Sequence, residues 1–210
     1  MGAIRAALSS DRMATYERAT GDAGQALRLY LWNAEVAGAL LTPLHVCEVV
    51  MRNTVSDALG AVYGERWPWS ASFERSLPSS QAGYSPRRDL VASRRSAETV
   101  GQVVTELKFV FWQRMFSSRH DGRLWTRQLR RVLPHAAVDD VALLRGQIYC
   151  GLEQLRGLRN RIAHHEPVFH RDLRADLEVA LTLVGLRCGV TARWLNECQA
   201  ALRVIERGVG

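Results

Sequence analysis

The stretch DDVALLRGQIYCGLEQLRGLRNRIAHHEP, residues 139–167, decides the fold. Its apolar residues Val141, Leu144, Ile148, Leu152, Leu155, Leu158 and Ile162 recur every three or four positions, the spacing that lines up one face of an α-helix. Asp139 and Asp140 can cap the first free N–H groups, and Pro167 limits how far the helix continues. The stripe must face either the chain's own core or a partner helix.

Working outward, the same period holds almost throughout. Residues 22–40 bring Ala26, Leu29, Tyr30, Ala34, Ala37 and Leu41 to one face. Thr42-Pro43 reads as a helix start, because threonine can cap and proline loses nothing at the first helical position; the next helix is expected over 43–62. Residues 64–86 collect proline, glycine and serine and form the one long loop excursion, pinned to the core by Trp67 and Trp69. Helical pattern returns over 87–99 and 101–116, where the run 107–111 also suits a strand. A short basic helix over 122–133, ended by Pro134, precedes the long helix, and helices over 173–186 and 191–207 complete the chain. The expectation is a single all-α domain over residues 1–210, an antiparallel helical bundle.

The net charge of +7 suits a polyanionic partner such as RNA. Lys108 is the only lysine, however, so the basic charge is almost wholly arginine, a bias that GC-rich coding would also produce. No apolar stretch reaches the roughly 18 residues that span a bilayer, and the first residues lack the apolar run of a signal peptide. Cys47, Cys150, Cys188 and Cys198 are scattered without a CxxC pair, which predicts buried free thiols in a cytoplasmic protein.

The chemistry sits at the end of the long helix. Asn160 and His164 lie one turn apart on the same face, and the long side chain of Arg159 can swing towards them. Arg161 and His165 form a second pair, rotated around the helix. An imidazole can move a proton near neutral pH, either from a ribose 2′-OH or to a leaving oxygen. A guanidinium matches the charge that develops on a pentacoordinate phosphorus, and an amide can hold a phosphate oxygen or fix the His tautomer. Such a set suits phosphodiester cleavage.

RNRIAH, Arg159 to His164, resembles the Arg-x(4)-His signature of HEPN domains, including the Asn after the Arg. HVCEVVMRNTVSDALGAVYGERW, from His45, resembles the E-x(3)-RN helix of Abi-like (phage abortive infection) proteins, followed by Tyr-Gly and Trp. TELKFVFWQRMF resembles their FxFW block and RNRIAHHEPVF their C-terminal motif, in the same order across about residues 11–169. Lys108 and Val110 depart from the small or polar residues usual in that block. The resemblance implies a HEPN-type bundle and a homodimer whose motif helices meet near the two-fold axis. It also implies metal-independent RNA cleavage by 2′-OH attack, carried by Arg159, Asn160 and His164, in phage defence or as a toxin restrained by an antitoxin protein or RNA. The alternative is a catalytically inactive HEPN module that binds RNA or protein.

Further candidates are weaker. Glu48 and Arg52, spaced i to i+4, either border the cleft with Asn53 or lock two helices as a buried ion pair. Arg123, Arg127, Arg130 and Arg131 form a basic stripe that could follow an RNA backbone or simply be solvated, and Arg161 could join them. Trp112 and Trp125 suit the core better than base stacking. His164, His165 and His170 crowd the motif, but His165-Glu166 is followed by proline at the wrong spacing for an HExxH zinc helix, so no metal is expected.

Overall fold

The computed structural model describes residues 2–79 and 83–209; positions 80–82 of the expected loop lie outside the described residues. Among those described, the chain forms twelve α-helices and no strand. Helix α1 (Gly2–Leu8) leads into α2 (Ser10–Thr20), which Gly21 closes in the left-handed region at φ 70°. Helix α3 (Ala23–Tyr63) follows, capped by Asp22. A 3-10 turn at Trp67–Trp69 and the short helix α4 (Ala71–Ser76) occupy the expected loop. Then come α5 (Pro86–Ser93), α6 (Val100–Glu106) and α7 (Phe109–Met115). A π-helical turn, Asp121–Trp125, runs into α8 (Thr126–Val132). The last four are α9 (Val141–Ala163), α10 (Leu173–Arg187), α11 (Gly189–Cys198) and α12 (Ala201–Arg207).

Helix α9 packs against α3 and α10 and runs antiparallel to both. Gly151 faces Val179 and Leu183 of α10, while Gln154, further along α9, bonds Asp176, earlier in α10. Helices α3 and α10 therefore run the same way, with Asn33 beside Val168 at one end and Asp57 bonded to Arg187 at the other.

Leu144, Ile148, Leu152, Leu155, Leu158 and Ile162 are all buried, in the same core as Val36, Leu40, Leu44 and Met51 of α3. The α9 stripe thus packs into this chain's own core. Asp140 caps the helix as expected, accepting from the N–H groups of Ala142 and Leu143 at 2.8 and 3.0 Å. Trp112 and Trp125 are core, and Trp67 ties the expected loop to α3 through Ser56 at 3.1 Å. Trp69 is only half-buried, under the Arg66 guanidinium.

Several boundaries differ from expectation. Thr42-Pro43 does not start a helix: α3 runs through it for 41 residues. An interior proline costs about 3 kcal/mol and one backbone hydrogen bond, but Leu40, Leu44, Cys47 and Met51 on both sides are buried in one core, and their packing offsets the loss. The 101–116 run breaks at Leu107-Lys108 into two helices, and the last helix breaks at Gln199-Ala200. The helix expected over 87–99 stops at Ser93, where Arg94 turns back to bond the Pro68 carbonyl and Glu74. Contrary to the composition reading, α3 holds an 18-residue window of mean hydropathy 1.4, long and apolar enough to cross a membrane, with 33% of the window buried in this fold. Of the four thiols only Cys47 is buried; Cys150 and Cys198 are exposed.

A second, smaller cluster joins α2 to the start of α3: Met13, Tyr16, Ala26 and Leu29, with Tyr30 and Phe169 packed against it. It lies beside the end of α9, and so positions the site.

Candidate active site

Helix α9 ends in a tight reversal. The backbone N–H of His164 bonds the Asn160 carbonyl at 3.0 Å, that of His165 the Ile162 carbonyl at 3.0 Å, and that of Glu166 the Arg161 carbonyl at 2.8 Å. His165 stands in the left-handed region at φ 54°, where side chains with a Cβ are uncommon. Just beyond, the buried Val168 N–H donates to Asn33 Oδ1 of α3 at 2.7 Å, and Phe169 packs at a tilt against Tyr16. The chain leaving the motif is tied down within four residues.

On this end the three motif side chains lie open. Arg159 and His164 are exposed and Asn160 is half-buried, and among the described residues none of the three side chains has a protein hydrogen-bond or ion-pair partner. Their charged neighbours are engaged. Arg156 pairs with Glu153 at 2.5 Å, Arg171 with Asp176 at 2.8 Å, and Arg161 with Glu166 at 3.3 Å.

Tyr149, Glu153, Asn160 and His164 follow one another along one side of α9, by the helical repeat. Helix α7 holds the first half of that row: Gln113, itself buried, donates to the Glu153 carboxylate, and Arg114 donates to the Tyr149 hydroxyl at 3.1 Å. The Arg156 hydrogen bond, with that of Gln113 beside it, holds the Glu153 carboxyl below the usual carboxylate range despite partial burial. On the other flank, α2 approaches the motif. Ser9, Asp11, Arg12, Thr15, His164, His165, Glu166 and Pro167 line a cleft of about 370 Å³, and the Arg12 guanidinium donates to the His165 carbonyl.

Arg12, Gln113 and Glu153 escaped the sequence reading. Stepping back along the helix from His164 would have found Glu153 and Tyr149. Nothing local marks Arg12, whose partner lies 153 positions away.

The remaining candidates divide. Glu48 and Arg52 are half-buried and Asn53 is exposed, but among the described residues Glu48 and Arg52 do not form the expected ion pair; the buried Arg52 Nε has no protein partner, nor do Trp112 Nε1 and Gln113 Oε1. The expected basic stripe is partly spent on structure. Arg130 bonds the carbonyls of Ala136 and Val138 and pairs with Asp139, and Arg131 bonds Gln128 and the Asp57 carbonyl. Arg123 and Arg127 stay exposed. Arg161 is taken up by Glu166 and the Pro167 carbonyl, closing the reversal rather than reaching outward. No group of three or more His, Cys, Asp or Glu converges among the described residues, and the His170 ring lies against Phe169 at 3.8 Å.

Scanned against protein-family models, curated proteins and solved structures, the chain finds no match. An exposed guanidinium and imidazole beside a half-buried amide at one helix end can bind a phosphodiester and move a proton at it.

Proposed function

We propose that this chain is a HEPN-type, Abi-like endoribonuclease that cleaves RNA by 2′-OH transesterification without a metal ion. One observation carries the reading. Among the basic side chains crowding the end of α9, Arg159 and His164 stand exposed beside Asn160 with no partner among the described residues, while Arg156 and Arg161 are neutralised by carboxylates. A permanently charged fork left unpaired beside an imidazole suits an anionic substrate.

His164 acts as the base on the ribose 2′-OH or as the acid at the leaving 5′-oxygen. Arg159 stabilises the charge on phosphorus, and Asn160 holds a non-bridging oxygen. The ribose oxygen then bonds the phosphorus as the P–O5′ bond breaks, leaving a 2′,3′-cyclic phosphate and a 5′-hydroxyl. One imidazole cannot easily serve both sides of the phosphorus, so a second copy supplies the other. Because α9 spends its apolar stripe internally, the dimer contact we propose lies on α3. There Leu31 and Leu41 are exposed, and Ala34, Gly38 and Leu41 line a cleft with Ile162, His165 and Glu166 of the motif end. A cytoplasmic role in phage defence or as a restrained toxin follows from the resemblance alone.

The test is incubation of the purified chain with total RNA and tRNA in EDTA, with end-group analysis of the fragments. Cyclic-phosphate ends lost in His164→Ala support the reading. Binding without cutting assigns the chain instead to an inactive RNA-binding module. Light scattering of Leu41→Arg checks the dimer, which this variant should split into monomers with lowered activity.

A further inference from the structure

Helix α2 belongs to the N-terminal arm, yet it forms one wall of the cleft that holds both motif histidines. Its docking is specific. Tyr16 packs edge-on to Tyr30 of α3 at 5.1 Å and against Phe169 at 5.3 Å. Phe169 lies four residues past His165, so the arm and the motif reversal share one aromatic anchor. Arg12 stands one helical turn before Tyr16 on the same face and reaches the His165 carbonyl. That carbonyl belongs to the residue at φ 54°. Ser9, the cap of α2, is the other non-glycine residue with positive φ among those described, and at His165 a side-chain donor is fixed on a backbone group whose conformation is unfavourable when left to itself.

We infer that Arg12 is a positioning residue for the motif. By holding the His165 carbonyl it keeps the end of α9 in its reversed conformation, and so sets the direction in which His164 projects into the cleft. The inference rests on the proposed cleavage for its kinetic consequence, but not for its structural one. Without Arg12, His165 relaxes towards an ordinary backbone region, the last turn of α9 frays, and His164 samples several directions. Docking of the arm becomes a condition for catalysis, although the arm carries none of the reacting groups.

The experiment compares wild type, Arg12→Ala, Arg12→Lys and Arg18→Ala in the full chain, by cleavage kinetics and by NMR of the His164 and His165 imidazole signals. Arg12→Ala should lower kcat by about 10- to 100-fold with KM little changed, the scale of a misplaced catalytic group. It should also shift and broaden both imidazole signals. Arg12→Lys, still able to donate to the carbonyl, should recover part of both. Arg18, which among the described residues bonds only the Ala14 carbonyl of its own helix, is the control and should behave as wild type. If Arg12→Ala merely unfolds, Tyr16→Ala, which undocks the arm with Arg12 intact, should show the same loss of kcat and the same signal changes. Wild-type kcat and unmoved imidazole signals in either folded variant overturn the inference. A wild-type chain that cuts no RNA overturns the proposed cleavage, and the imidazole signals alone then decide whether Arg12 positions the motif.

Discussion

The two ends of α9 have similar sequences and opposite fates. Near its start, Arg145 is largely buried and spends its guanidinium on Asp121, at 2.9 and 3.4 Å, and on the Phe116 carbonyl at 3.3 Å. Near its end, Arg159 is exposed and its guanidinium meets no partner among the described residues. Counting arginines would treat the two alike. What separates them is whether the fold has already neutralised the charge: a satisfied guanidinium is architecture, and an unsatisfied one is available to a ligand.

The largest expected effect is at the open end. His164→Ala and Arg159→Ala should each reduce RNA cleavage by about 10²–10⁴-fold, as for a lost proton-transfer or charge-stabilising group. Because both side chains are exposed, thermal melts should move little, the change in stability staying within about 0.5 kcal/mol. A large loss of stability in either variant would erase the contrast.

Acid should act at the other end. His120, buried in a 3-10 turn at Ser118–His120 that packs on α9, has its pKa lowered to about 4 from 6.5, chiefly by burial and then by Arg119 and Arg123. The unfolded chain takes up that proton near pH 6.5 and the folded chain only near pH 4. Stability is therefore full above pH 6.5 and falls as pH drops through this window, by on the order of 3 kcal/mol. His120→Gln should flatten that part of the urea-unfolding profile between pH 7 and 4.

Arg145→Ala should cost about 2 kcal/mol in urea unfolding, because it strands a half-buried carboxylate and a carbonyl. Activity per folded molecule should be unchanged, and a selective loss of activity would show that the locked end also serves the site. The smallest effect is a labelling pattern. Cys150 and Cys198, both exposed, should react with a thiol reagent in the native state. Cys188, lowered by its hydrogen bond with Thr191, should react as well. Cys47, buried and pushed up to about 12 by desolvation and then by Glu48, should react only on unfolding. Fast native labelling of Cys47 would mean that α3 opens away from α9.

Helix α9 was legible because its signals are local: a cap at Asp140, a stripe ending at Ile162 and a proline at 167. The residues of the proposed motif can be picked out for the same reason, being neighbours in sequence. Pro43 misled, since local preference breaks the helix there while burial on both sides holds it together. The break at Leu107-Lys108 carries no glycine or proline; the extended backbone at Leu107 lets that side chain stay buried while Phe111, Trp112 and Met115 turn inward from the next helix. The uses of Arg130, Arg131 and Arg161 were hidden because a basic side chain bound to a backbone carbonyl leaves no trace in the charge pattern.

The length of α3 has a consequence for the molecule in solution. At 1.5 Å per residue, its 41 residues make a rod of about 60 Å, whereas a compact chain of 210 residues has a radius of gyration of only about 17 Å. Such a beam cannot hide inside a sphere of that size. Small-angle scattering should register a prolate particle, and amides parallel to the beam should relax differently in solution from those of helices lying across it.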